Sequence, residues 1–115
     1  KPKDSYDGTG FFWSPDSTKL VAFRTEAAQE HKKQVTHYEE IQAGLGARYH
    51  AEFLSTLEWV CASPDRFRIV LSPDIRRAIF KVFHFDVIYR EVDGVVQVLA
   101  IAHQRRQPAY WAGWL

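Results

Sequence analysis

The sequence predicts an α+β domain in which a helical hairpin packs on a twisted antiparallel β-sheet, with the element order β-α-α-β-β-β-β. Three observations carry this reading. Two consecutive stretches place apolar residues at three- and four-residue spacings and are separated by Gly44 and Gly46. Everything after Pro64 has strand character, and Asp93-Gly94 sits between two β-rich runs.

The elements follow in order. Residues 1–18 combine Gly8, Gly10, two prolines and several Asp and Ser residues, a loop composition broken only by Phe11-Phe12-Trp13. They read as an extension, with the domain proper at 19–115. Leu20 to Phe23 suit a buried strand, with Thr25 as N-cap of the helix that follows and Glu26 in its first turn. From Glu26 to about Ala43, Ala28, His31, Val35, Tyr38 and Ile41 or Gln42 form one stripe, with Glu30, Lys32, Lys33, Glu39 and Glu40 on other faces. After the two glycines, Tyr49, Phe53, Leu57, Val60 and Cys61 repeat the stripe until Ser63-Pro64 ends it. His31, His37 and His50 read as surface or boundary residues.

Phe67, Ile69 and Leu71 alternate with Arg66, Arg68 and Val70, and Ser72-Pro73-Asp74 signals a turn before an extended run from Ile75 to Val82. Phe85 to Val92 and Val95 to His103 then flank Asp93-Gly94. This pair predicts a two-residue type I′ hairpin, because both turn residues need positive φ.

Composition narrows the function classes. The chain has 115 residues, 46% of them hydrophobic and 15% aromatic, enough for one domain with its own core and too apolar for a disordered chain. Cys61 is the single cysteine, so neither an internal disulfide nor a multi-Cys zinc site is available, and a reducing, cytoplasmic setting fits. No apolar run approaches the roughly 20 residues that span a bilayer, and the N-terminal residues lack a signal-peptide pattern. The absence of Met, even at position 1, reads as a processed or trimmed product.

Fifteen basic against fourteen acidic residues argue against a strongly basic wrapper of nucleic acid. The distribution is uneven, however. Residues 64–115 hold eight basic and five acidic groups, and seven of the eight are arginine, the better side chain for phosphate. The sheet half is therefore biased toward an anionic partner.

With Asp93 and Gly94 as the loop, Val92 faces Val95, and counting outward pairs Ile88 with Leu99, Asp86 with Ile101 and His84 with His103. Phe85, Val87 and Tyr89 then lie opposite Ala102, Ala100 and Val98 on a face made to receive helices. The other face holds His84, Asp86, Ile88 and Arg90 opposite His103, Ile101, Leu99 and Gln97. This face is apolar in the middle and ionisable at one end, as a groove would be.

Arg105 and Arg106 follow His103, and Arg76 and Arg77 lie on the preceding strand, so two His, one Asp and up to four Arg are expected near one sheet edge. Arginine forks bind phosphate oxygens bidentately, and His exchanges protons near neutral pH. Adjacent arginines alternate faces, which leaves Arg77 or Arg76, and Arg106, for the groove. The competing readings are a surface hydrogen-bond cluster for the histidines and solvated edge residues for the arginines. His84, Asp86 and His103 lack a His-x₃-His pattern, so no metal or other cofactor is expected. Trp111 and Trp114 read as core or groove lining.

The motifs Ile75-Arg76-Arg77, Phe83-His84-Phe85, Ile88-Tyr89 and Ala102-His103-Gln104-Arg105-Arg106-Gln107-Pro108-Ala109-Tyr110-Trp111 resemble the RelE/ParE superfamily of toxins from bacterial type II toxin-antitoxin (plasmid stabilisation) modules. The resemblance extends back through Ser63-Pro64-Asp65-Arg66-Phe67, Gly44-Leu45-Gly46 and Tyr38-Glu39-Glu40. It implies a growth-inhibiting toxin with a cognate antitoxin and no membrane association, and it is compatible with a homo-oligomer.

Two modes occur in that superfamily: ParE-like poisoning of DNA gyrase, slightly favoured here, and RelE-like ribosome-dependent cleavage of mRNA. In the ribonuclease mode, the resemblance implies a metal-independent enzyme with His103, His84 and Tyr110 as catalytic groups. Arg76, Arg77, Arg105 and Arg106 would bind phosphate or an antitoxin tail, and Asp86, Ile88, Leu99, Ile101 and Trp111 would line the groove. Asp86 stands where RelE-like proteins place an arginine, and a carboxylate there repels phosphate. A non-toxic, degenerate binding module is the third reading. Phe11-Phe12-Trp13 would fold back over the sheet or helices into antitoxin-like space, or belong to a leader without a role.

Overall fold

A computed structural model describes residues 11–13, 19–104 and 110–114. Strands β1 (Phe11–Trp13) and β2 (Leu20–Phe23) precede helices α1 (Thr25–Ile41) and α2 (Leu45–Ala62). A 3₁₀ turn at Pro64–Arg66 leads to β3 (Arg68–Leu71), β4 (Ile75–Ile79), β5 (Phe85–Val92) and β6 (Val95–His103). A second 3₁₀ segment covers Tyr110–Trp114.

The strands form one sheet in the order β1-β2-β6-β5-β4-β3. Its neighbours are antiparallel with one exception: β2 runs parallel to β6, so the sheet is mixed where an antiparallel one was expected. The aromatic triplet of the extension is the edge strand β1, pairing Phe11 with Ala22 and Trp13 with Leu20 through the backbone.

The helical hairpin forms as the two stripes require. Tyr49, Phe53, Leu57, Val60 and Cys61 of α2 are all buried, each apolar side chain contributing roughly 1.5–3 kcal/mol. In α1 the buried residues are Ala27 and His31, and Ile41 is exposed, so the stripe ends a turn earlier than its spacing suggests. Arg24, not Thr25, occupies the N-cap. Its N–H donates to the Val98 carbonyl at 2.9 Å, which prolongs the β2–β6 pairing up to the first turn, and the helix starts at Thr25, one residue earlier than expected.

Between the helices, Gly44 sits at φ +88°. Gly46 is required by contact: a Cβ there would lie 2.5 Å from the Val35 carbonyl oxygen, the place where α1 and α2 cross closely. The Glu39 carboxylate accepts the N–H groups of Gly44 (2.9 Å) and Gly46 (3.1 Å), capping α2 from α1.

The Asp93-Gly94 turn has both residues at positive φ, 51° and 78°, as the type I′ hairpin demands. Val92 pairs with Val95 and Arg90 with Gln97, as counted. A bulge between Ile88 and Tyr89 then shifts the register, so that Ile88 faces Ala100, Asp86 faces Ala102 and Phe85 faces His103. Leu99 and Ala100 consequently point to the same side, and every residue beyond them changes face. Ile101 belongs to the core beneath the helices, not to the groove, while Ala100 and Ala102 move to the open face.

His31 is corrected as well, whereas His50 is the half-buried boundary residue expected. His31 is 2% exposed, its Nε2 lies 2.9 Å from His50 Nδ1, and its ring packs on Tyr49 and Phe53 at centroid distances of 5.4 and 4.1 Å.

Candidate functional site

The sheet face away from the helices carries the expected site. Its middle is not an open groove. Ile75, Ile88, Leu99, Ala100 and Ala102 form a second apolar cluster, and Trp111 is buried against them with Tyr110 and Ala112 beside it. The C-terminal 3₁₀ segment therefore roofs the apolar centre of this face.

Tyr110 is fastened from the other side. Its hydroxyl donates to the Glu30 carboxylate on α1, and the second Glu30 oxygen accepts the Ile101 N–H at 2.9 Å. Because β2 covers β6 only at Val95–Val98, the outer edge of β6 is uncovered at Ile101, and Glu30 supplies the acceptor that a neighbouring strand would have offered. Two carboxylates of α2 and α1 act alike: Glu52 receives the Val82 and Phe83 N–H groups, and Glu39 caps α2. None of these partners stands at a spacing that marks it in the sequence.

The expected His–Asp–His cluster does not come together. His103 pairs with Phe85, their rings edge-to-face at 4.9 Å, on the helix side of the sheet. Asp86 lies on the opposite side, and His84 is exposed before the start of β5, where its carbonyl accepts the Gln104 N–H. Asp86 is 7% exposed. Its Oδ1 accepts from Gln104 Nε2 at 3.1 Å and its Oδ2 lies 3.8 Å from Arg77 Nε. Burial raises its pKa, while the Gln104 bond and the Arg77 charge pull the other way.

The arginine pair divides as alternation requires. Arg76 turns to the helix side, where its Nη1 donates to the carbonyls of Phe67 (2.6 Å) and Asp65 (3.0 Å) and pins the segment before β3. Arg77 stands on the open face opposite Ile88 on one side and Arg68 on the other. Arg90 joins that face and donates through Nε to Gln97 at 2.9 Å. Arg105 and Arg106 lie outside the described residues. Among the described residues no three His, Cys, Asp or Glu side chains gather as a metal site.

The family model of the ParE toxin of the type II toxin-antitoxin system parDE matches residues 21–108. The chain belongs to the ParE toxin family. A chain of the chromosomal ParDE toxin-antitoxin system from P. aeruginosa superposes with a TM-score of 0.63 at 15% identity, over 72% of this chain and 92% of that one. The shared feature is the fold: two helices on the five-stranded mixed sheet β2-β6-β5-β4-β3. No curated protein gives a match. Beyond the ParE-family match lies the segment that contributes β1, since the matched range begins at Val21. Among the described residues no helix is long and apolar enough to cross a membrane.

Proposed function

We propose that this ParE-family chain arrests bacterial growth by poisoning the complex of DNA gyrase with DNA, and that a cognate antitoxin neutralises it in the cytoplasm. The observation that carries the gyrase target over mRNA cleavage is the separation of His103 from Asp86, which lie on opposite sides of the sheet. General acid–base cleavage of RNA needs a base and an acid within hydrogen-bond reach of one phosphate, and here the carboxylate of Asp86 cannot reach the His103 ring on the other side of the sheet. Tyr110, a further candidate, holds the C-terminal segment to Glu30. A poison that breaks no bond needs instead a rigid, charged surface, and the arginines of the open face supply one for an anionic assembly.

The test is induced expression in a bacterium, comparing the wild type with His103→Ala and following both DNA damage and codon-level mRNA cleavage. The expected result is growth arrest with DNA damage, retained in the variant. Cleavage of mRNA that disappears in His103→Ala would transfer the chain to the ribonuclease mode, and normal growth would leave a binding module.

A further inference from the structure

The side of the sheet next to β2 is closed by the chain itself. Strand β2 has β6 on one side and β1 on the other, so residues 11–13 take the backbone groups that β2 turns outward. The ParE-family match begins at Val21, and this covering strand lies outside it. β2 is fixed without β1: Val21 and Phe23 are in the core, and its four residues pair with Val95–Val98. Leu20-Val21-Ala22-Phe23 contains neither a charge nor a proline, the usual devices that stop an open edge from pairing with another chain. β1 supplies a different device. It is three residues long, and Pro15 follows two residues after Trp13, so it offers little template of its own. Because Trp13 pairs with Leu20, only residues 14–19 connect the two strands. A connection this short holds β1 beside β2 at an effective concentration on the order of millimolar.

We propose that the β2 edge is a self-association surface held shut by residues 11–13, and that a second copy of this chain pairs there, antiparallel, when those residues leave. The edge is self-complementary. A two-fold axis at Val21 sets Leu20 of one copy opposite Ala22 of the other, apolar against apolar, and Lys19 opposite Phe23, so that Lys19 and Arg24 do not meet as like charges. The pairing joins two sheets into one and satisfies the outward N–H and C=O groups of both copies at once. A charged strand finds no charge within β2 to answer, and a nucleic acid finds no cation within it. Release of β1 thus changes the chain from a single copy to a pair.

The test uses the full-length chain. One variant carries Phe11→Gly, Phe12→Gly and Trp13→Gly together, which weakens strand pairing without shortening the chain, and Phe12→Pro is the second. Circular dichroism confirms that each keeps its helices. Sedimentation equilibrium from about 1 to about 200 μM reads the mass, and amide exchange reads the β2 edge. The wild type is expected to keep the mass of one chain throughout. Each variant is expected to double its mass as concentration rises, with the Leu20–Phe23 amides exchanging fast in the dilute sample and slowly in the concentrated one. An excess of a synthetic peptide of residues 8–16 should return the variants to one chain. Leu20→Lys with Ala22→Lys, added to the triple-glycine variant, should do the same by setting like charges opposite each other across the two-fold axis. Variants that keep the mass of one chain at every concentration, a wild type that doubles as readily, doubling that leaves Leu20–Phe23 exchanging fast, or doubling that survives the two lysines would overturn the proposal. No readout involves gyrase, so the outcome is independent of the target assignment.

Discussion

Acidification is expected to weaken this fold through His31. The ring is buried between the helices against Tyr49 and Phe53, and burial, followed by the neighbouring His50, lowers its pKa to about 3. In the unfolded chain it titrates near the ordinary value of about 6.5. Above that value neither state holds the proton, and the full stability is present. Below it the unfolded chain takes up a proton that the folded chain refuses, so stability falls by about 1.4 kcal/mol per pH unit. By pH 4.5 the loss from this site alone, relative to alkaline pH, amounts to about 3 kcal/mol, a large fraction of the 5–15 kcal/mol typical of a domain.

His50 acts in the same direction, since burial also lowers its pKa. Asp86 opposes it: its raised pKa lets the folded state gain a proton first as pH falls. Urea denaturation of wild type and His31→Phe at several pH values separates these contributions, because the phenyl ring fills the same site without titrating. The wild type should lose stability steeply below pH 6.5, and the variant should lose about 3 kcal/mol less by pH 4.5. Parallel curves would refute the reasoning.

Two further perturbations follow from the helix crossing. Gly46→Ala places a methyl group 2.5 Å from the Val35 carbonyl oxygen, where no rotamer relieves the contact. The expected cost is about 2 kcal/mol, read as a lower melting temperature with the helices pushed apart. Glu39→Ala removes the acceptor of the Gly44 and Gly46 N–H groups and is expected to cost about 1–2 kcal/mol in urea denaturation, with Glu39→Gln recovering part of it.

The legible parts of the fold were those in which one chemical type repeats or one backbone conformation is compulsory. Tyr49, Phe53, Leu57, Val60 and Cys61 announce the buried stripe of α2, and Asp93-Gly94 announces positive φ at two successive residues. The register failed where that information stops. Val98-Leu99-Ala100-Ile101-Ala102 is apolar throughout, so nothing in the pattern marks the extra residue at the bulge, and one slip carried Ile101 and His103 to the helix side.

Of the candidate site, the division between Arg76 and Arg77 was readable from strand alternation, and so was the place of Trp111. Arg68 was not, because its significance depends on which residue of another strand stands opposite. Glu30, Glu39 and Glu52 look like solvated charges in the sequence. They become backbone acceptors only once β6, the interhelical turn and the Val82–Phe83 loop arrive beside them. His31 misled for the complementary reason: a polar type on an apolar stripe is satisfied by His50, 19 residues away.

The most direct test of the account is a supercoiling reaction with purified gyrase, relaxed plasmid and this chain, run beside His103→Ala. The account predicts that supercoiling is inhibited and that broken plasmid DNA accumulates, to the same degree with the variant. Undiminished supercoiling by a chain that cleaves mRNA on ribosomes, with cleavage lost in His103→Ala, would contradict it.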